Sequence, residues 1–196
     1  MLTELRSSLR PAFVLLLLFT ALTGVIYPLA ITGIAQVAFP AQADGSLIRD
    51  NGKVVGSALI GQNFAEARYF HSRPSAAGKG YDASASAASN LAPVSQDLAT
   101  RIGGDLAALR QQGLTGPIPT DFVTTSASGL DPHISPEAAF LQVGRVAAAR
   151  NVAPAVIRNA VTAATEYPLL GLIGEPRVNV LLLNRQLDRL SAMPAG

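Results

Sequence analysis

The sequence predicts a mixed α+β protein: one N-terminal transmembrane helix, then a single small extracytoplasmic domain with a few early strands and several later helices. Three observations carry this reading. No charged residue occurs from Pro11 through Ala43. An Asp50-Asn51-Gly52 turn separates two short apolar runs just after that stretch. The second half of the chain repeats apolar residues at helical spacing between proline breaks.

The apolar stretch comes first in the chain. Residues 12–38 would form a helix about 40 Å long at 1.5 Å per residue, enough to cross a hydrocarbon core of roughly 30 Å with tilt. Its polar members, Thr20, Thr23, Thr32 and Gln36, are compatible with lipid because threonine bonds back to helix carbonyls and Gln36 lies near one end. Pro11 suits a first helical turn, and Pro28 is expected to kink the helix. A cleaved signal peptide is the competing reading, with Ala41-Gln42-Ala43 as a small-residue cleavage site, but the run is nearly twice the usual apolar length of a signal. A buried core helix fits so long an uncharged run poorly. Arg6 and Arg10 flank the amino side, whereas the other flank opens with Asp44 and reaches its first basic residue at Arg49. The positive-inside rule therefore places residues 1–11 in the cytoplasm and residues 44–196 outside a cell inner (plasma) membrane.

The external part is about the size of one ordinary domain. It has no cysteine, which excludes disulfides, thiolate metal sites and cysteine nucleophiles. A net charge of +2 without basic blocks gives no footprint for nucleic acid. The Asp50-Asn51-Gly52 turn predicts a β-hairpin. Phe64, Tyr69 and Phe70 add aromatics at strand-like density, ending at Arg73-Pro74. Residues 75–93 are small and polar and read as a long loop, either a surface excursion or a segment ordered against a partner. Val94, Leu98, Ile102, Leu106 and Leu109 predict a helix over 94–112, interrupted at Gly103-Gly104 and stopped by Gly113. Phe122 opens a short strand that dissolves into a loop. Ser135, Pro136 and Glu137 are an N-cap, a first-turn proline and a first-turn acid for a helix reaching about Arg150, with Ala139, Val143, Val146 and Ala147 inward. Pro154 starts a helix over 155–166, with Val156, Ile157, Ala160, Val161 and Ala164 inward. A last helix, 179–190, carries Val180, Leu183, Leu187 and Leu190 inward.

No catalytic constellation emerges. His71 and His133 are the two histidines, with no metal-ligand spacing between them. Asp131 and His133 near Ser126, Ser128 and Ser135 supply triad residue types, but without a G-x-S-x-G elbow, and loop or helix-cap hydrogen bonds explain them better. Gly78-Lys79-Gly80 lacks the phosphate-loop pattern. A partner-binding or accessory role follows from the residues alone, with an independent membrane-anchored envelope binding protein or hydrolase as the alternative.

Several motifs carry a family resemblance: GSALIGQNF at 56–64, YFHSRPS at 69–75, SNL at 89–91 and, most specific, VTTSASGLDPHISP at 123–136. Gln142, RVAAAR at 145–150, GEP at 174–176, VNVL at 178–181 and Leu183-Asn184 follow in order. With the N-terminal span, they make the chain similar over essentially its whole length to the C subunit of Kdp-type potassium-transporting ATPases, the KdpC family. Ala87, Ala88 and Ala92 stand where the family pattern has glycine, which bears on the flexibility of that loop. The resemblance implies a subunit with no catalysis of its own. Its companions would be a channel-like potassium-translocating subunit (KdpA), a P-type ATPase subunit (KdpB) and a small one-helix subunit (KdpF). It implies two roles: a chaperone that raises the ATPase subunit's affinity for ATP, and a stabilising cap at the extracytoplasmic mouth of the potassium subunit. ATP and potassium would be handled by the complex. With residues 44–196 outside, an effect on ATP affinity has to be allosteric; inverted topology with direct nucleotide contact is the alternative.

Two groups of residues are the expected partner contacts. Thr20, Thr23, Gly24 and Gly33 are small enough to let partner helices approach closely, the alternative being lipid-facing filler. Tyr69, Arg73, Asn90, Ser128, Asp131 and His133 lie in the two most distinctive loops of the domain, the alternative being a role internal to the fold.

Overall fold

The computed structural model describes residues 2–168, 171 and 173–192. The extreme ends of the predicted segments, residue 1 and residues 193–196, lie outside the described residues. The chain divides into two compact units, residues 1–55 and 56–196.

The first unit is dominated by one helical rod. Helix α1 (Leu2–Ala21) runs into a π-helical turn, Leu22–Ile26, and then into α2 (Tyr27–Ala38). From Arg6 to Ala38 it is long and apolar enough to cross a membrane, and its side chains are unburied within the chain. Pro11 is an interior helical residue and not the start, because α1 begins at Leu2. The hydroxyls of Ser7 and Ser8 both donate to the carbonyl of Glu4 in the turn before it. Pro28 is accommodated by the π turn. Its ring would press on the carbonyl four residues back, and widening the preceding turn, where the Tyr27 N–H bonds to the Leu22 carbonyl, relieves that crowding. A short helix, α3 (Pro40–Ala43), leads to strands β1 (Leu47–Asp50) and β2 (Lys53–Ser57), which pair as a two-stranded sheet. Asn51 (φ 47°) and Gly52 (φ 79°) are both left-handed, as a tight hairpin turn demands.

The second unit begins with a long irregular stretch. Helix α4 (Gln96–Gln111) follows, two residues later than the apolar spacing suggests, leaving Val94 95% exposed. It ends as expected at Gly113 (φ 81°), where Gly113 N–H bonds to Arg110 O and Leu114 N–H to Leu109 O, with Leu114 buried. Helix α4 runs through Gly103 and Gly104 without interruption. Neither is strained, and a Cβ on either would touch nothing within 4 Å. Gly103→Ala and Gly104→Ala are therefore each expected to stabilise the protein by about 0.5–1 kcal/mol, measured by thermal or urea unfolding.

The core is built by the later elements: β3 (His133–Ile134), α5 (Pro136–Arg150), α6 (Pro154–Ala164), β4 (Thr165–Glu166), β5 (Arg177–Asn179) and α7 (Val180–Ala192). The strands form an antiparallel sheet in the order β3-β5-β4, with Ile134 and Thr165 both opposite Val178. The strands are thus not confined to the early part of the domain. The capping of α5 is as its sequence predicts, with Ser135 Oγ accepting from Ala138 N–H at 3.2 Å. Ala139, Val143, Val146 and Ala147 are buried against Ile157, Ala160 and Val161 of α6 and Val180, Leu183 and Leu187 of α7. Two inward assignments fail: Val156 is 46% and Leu190 45% exposed. Helix α6 stops two residues short of Glu166 because Thr165 and Glu166 turn extended to pair with β5. The predicted strand at Phe122 is a 3₁₀ turn, Thr120–Phe122, held where Thr124 bonds back to the Thr120 carbonyl through both its N–H and its hydroxyl.

Candidate functional site

The segment 64–73 forms no strand, which corrects the sequence reading: it turns at Ala67-Arg68, where Tyr69 N–H bonds to Glu66 O at 3.1 Å, and runs on without a strand partner. Its ladder partners are side chains. Asn184 on α7 accepts from Phe70 N–H at 2.8 Å and donates to Phe70 O at 3.0 Å. Gln142 on α5 does the same for His71, at 2.7 and 3.1 Å. Both amides and Phe70 are buried. Two helices thus grip Phe70 and His71 by their backbone, and the neighbouring loops are positioned from them. The sequence signal is an amide set into an apolar helical face: Gln142 between Ala139 and Val143, and Asn184 between Leu183 and Leu187.

Arginines surround this clasp. Arg145 Nη1 donates to Ala67 O at 2.7 Å and Tyr69 O at 3.0 Å, while Nη2 donates to Gln142 Oε1 at 2.6 Å. Arg150, whose side chain is 4% exposed, donates to Asp188 at 2.9 Å, and Arg68 donates to the same oxygen at 3.1 Å. Tyr69 gives its hydroxyl to Asp188 at 3.2 Å, with the guanidiniums of Arg68 and Arg150 about its ring at 5.0 and 5.3 Å. Burial pushes the Asp188 carboxyl up, but the hydrogen bonds from Arg150 and Arg68 outweigh it and hold the group below the usual carboxylate range.

A second network joins the two distinctive loops. Arg73 binds Asp131 at 3.1 Å and reaches Thr124 through its carbonyl (3.3 Å) and hydroxyl (3.2 Å). Asp131 also accepts from His133 N–H at 3.0 Å and lies 3.2 Å from His133 Nδ1. Burial raises the Asp131 carboxyl, and the bonds from His133 together with the Arg73 charge bring it below its ordinary value. The hydroxyls of the nearby serines serve the backbone: Ser128 accepts from Leu130 N–H and Ser135 caps α5. Ser128 O receives Ala87 N–H at 3.1 Å and the Ser86 hydroxyl at 2.9 Å, and the Ser75 hydroxyl donates to Gly129 O at 2.6 Å. The long loop 75–93 is thereby fastened to 126–130. Arg73, Ser128, Asp131 and His133 come together in this way. Tyr69 belongs to the Asp188 cluster, and Asn90 is exposed in the loop with φ 53°. In the apolar rod Thr23 donates to Phe19 O at 2.7 Å; a Cβ on Gly24 would meet only Thr20, at 3.9 Å, and one on Gly33 nothing within 4 Å.

His71 carries a pH prediction. Burial, and next the charge of Arg145, lower its pKa below the ordinary histidine value. The unfolded chain therefore binds the extra proton first, and stability falls as pH drops below about 6.5. Carboxylate losses belong to a separate window, below about pH 4. Thermal melts between pH 7.5 and 5 should show a declining midpoint that flattens in His71→Gln.

Comparison with known proteins comes to the same family as the motifs. The family described as the c chain of K+-transporting ATPases, KdpC, matches residues 9–189. A potassium-transporting ATPase KdpC subunit of Caulobacter vibrioides is 60% identical over 183 residues, covering 93% of each chain. The subunit of the same name from Bradyrhizobium diazoefficiens is 53% identical over 196 residues, covering 94% of this chain and 98% of its own. That from Myxococcus xanthus is 57% identical over 171 residues, covering 86% and 81%. With the apolar rod, the ordered motif loops and this breadth of similarity, the chain belongs to the KdpC family of potassium-transporting ATPase subunits.

Proposed function

We propose that this chain is the accessory, non-catalytic subunit of a high-affinity ATP-driven potassium uptake complex, working beside channel-like (KdpA), P-type ATPase (KdpB) and small one-helix (KdpF) subunits. The observation that carries the reading is family membership from residue 9 to residue 189. The geometry supports it, because the polar side chains of the distinctive loops are spent inside the fold: Arg73 binds Thr124 O and Asp131, Asp131 accepts from His133 N–H, and the Ser86 hydroxyl donates to Ser128 O.

The chain enters the membrane once, with its N-terminus in the cytoplasm and residues 44–196 outside, as the Arg6 and Arg10 flank argues. ATP is then bound by the ATPase subunit on the other side. The subunit raises ATP affinity by binding one state of the pump better than another, through its helix and its docked domain, a coupling that needs no nucleotide contact. Thr20, Thr23, Gly24 and Gly33 are the small residues through which that helix packs closely against partner helices. The loops containing Tyr69, Arg73, Asn90, Ser128, Asp131 and His133 face the neighbouring subunit.

Affinity purification through a tag on this chain tests the assignment. Large multi-span partners and potassium-stimulated ATPase activity should copurify. Recovery of the chain alone, with hydrolytic activity of its own, would reject the assignment in favour of an independent envelope enzyme. Protease applied to spheroplasts should digest residues 44–196; protection there, with cleavage only in inverted vesicles, would reverse the orientation.

A further inference from the structure

An open cleft of about 420 Å³ lies within the second unit, between α4 and the extended segment 71–75. Phe64, Leu109, Leu114 and Phe122 give it an apolar floor, and the side chains of Arg145 and Gln112 also line it. Its charges are almost all spoken for. Arg73 is paired with Asp131, and Asp105 with Arg101 at 2.8 Å. His71 is held toward its neutral form by burial. Arg145 is the exception: among the described residues it makes no ion pair, and its hydrogen bonds go only to neutral groups, from Nη1 to Ala67 O, Tyr69 O and His71 Nε2 and from Nη2 to Gln142 Oε1, with none from Nε–H. Loss of solvation alone already lowers its affinity for its proton.

We infer that this cleft receives an acidic side chain borne on an apolar stretch of a neighbouring subunit, with its carboxylate on the free edge of Arg145 and its apolar body on the Phe64–Leu109–Leu114–Phe122 floor. The inference rests on the subunit reading above. A carboxylate fits better than a phosphate. Only one uncompensated positive charge is present, and a guanidinium edge suits a planar monoanion. The cleft is open to solvent and not an enclosed cavity, so a free small molecule would keep part of its surface wet there, whereas small-molecule sites bury most of the ligand. A carboxylate tethered to a chain brings the rest of its contact surface with it.

Hexanoate is the probe, and the full chain in micelles, labelled with ¹⁵N-arginine, is the sample. Hexanoate should shift the Arg145 Nε–H resonance at concentrations at least tenfold lower than acetate needs, since the apolar floor takes the longer tail. Inorganic phosphate at the hexanoate concentration should leave the resonance in place. Arg145→Lys, read through ¹³C-methyl leucine signals of Leu109 and Leu114, should weaken binding at least tenfold. Arg145 also holds backbone carbonyls, so Gln112→Glu serves as the variant that spares the fold; it places a competing acid at the cleft and should weaken hexanoate binding several-fold. In the assembled complex the same resonance should no longer respond to hexanoate, because the partner's carboxylate is in place. No response in the isolated chain, an equal response to phosphate, or undiminished binding in the Gln112→Glu chain would overturn the site. An unchanged response in the complex would overturn the partner as its occupant. Failure of the chain to copurify with a pump would sink the subunit reading instead, and leaves the isolated-chain titration standing as a separate result.

Discussion

Asn184→Leu is expected to cost about 3–5 kcal/mol and to lower the melting temperature by about 10 °C or more. The substitution keeps the number and branching of side-chain heavy atoms and is apolar, so the loss does not come from a cavity. It comes from Phe70, whose N–H and carbonyl both lose their partner while remaining buried beneath α7. An unpaired buried donor or acceptor costs about 1–3 kcal/mol each. Asn184→Asp keeps an acceptor for the Phe70 N–H but presents an anion to the Phe70 carbonyl, and it should also destabilise, with the loss easing as acid protonates the new carboxyl. Thermal unfolding of the purified full chain at pH 7 measures both. If Asn184→Leu melted within 2 °C of the wild type, the side-chain clasp would not be what holds the 64–73 segment.

Gly129→Ala should be the second large effect, and it acts on the loops and not on the helical core. Gly129 sits at φ 66°, a conformation that costs a residue with a Cβ about 1–2 kcal/mol. An added Cβ would also lie 2.7 Å from both Ala77 N and Ala87 O, backbone atoms that cannot swing away. Loop 75–93 would have to detach from 126–130, breaking the Ser75 and Ala87 hydrogen bonds. The expected result is a loss of about 2–4 kcal/mol, faster amide exchange confined to 75–90 and 126–131, and weaker assembly with the pump. Uniform exchange rates across the domain would contradict the local account.

These two sites mark how far the sequence could be read. Where a local rule decides the geometry, the residues declared it. Asn51-Gly52 turns the hairpin, Gly113 ends α4, and Ser135-Pro136-Glu137 opens α5. The clasp could not be read in the same way, because Phe70 and His71 find their partners 114 and 71 positions along the chain, on helices whose faces otherwise look purely apolar. Aromatic density at 64–70 was consistent with a strand, but the segment turns at Ala67-Arg68, and side-chain amides take the place of neighbouring strands at Phe70 and His71. Strands β4 and β5 are two and three residues long, too short for alternation to register. The candidate interface divides likewise. Asp131 and His133 are two residues apart and their mutual bond was foreseeable, whereas the tie from Arg73 to Asp131 spans 58 positions. The cluster of Arg68, Tyr69, Arg150 and Asp188 depends on α5 and α7 packing together and had no local signature.

The central claim is that residues 44–196 act on the pump from outside, without touching nucleotide. Its most direct measurement compares the reconstituted complex containing the full chain with one whose copy of this subunit ends after Ala43, following potassium transport and the ATP concentration for half-maximal ATPase activity. Truncation should abolish or sharply reduce transport and raise the ATP requirement about tenfold, a coupling of about 1.4 kcal/mol, while photoreactive ATP labels the ATPase subunit and leaves this chain unlabelled. Unchanged transport and ATP requirement after truncation, or labelling of residues 44–196 by the ATP analogue, would contradict it.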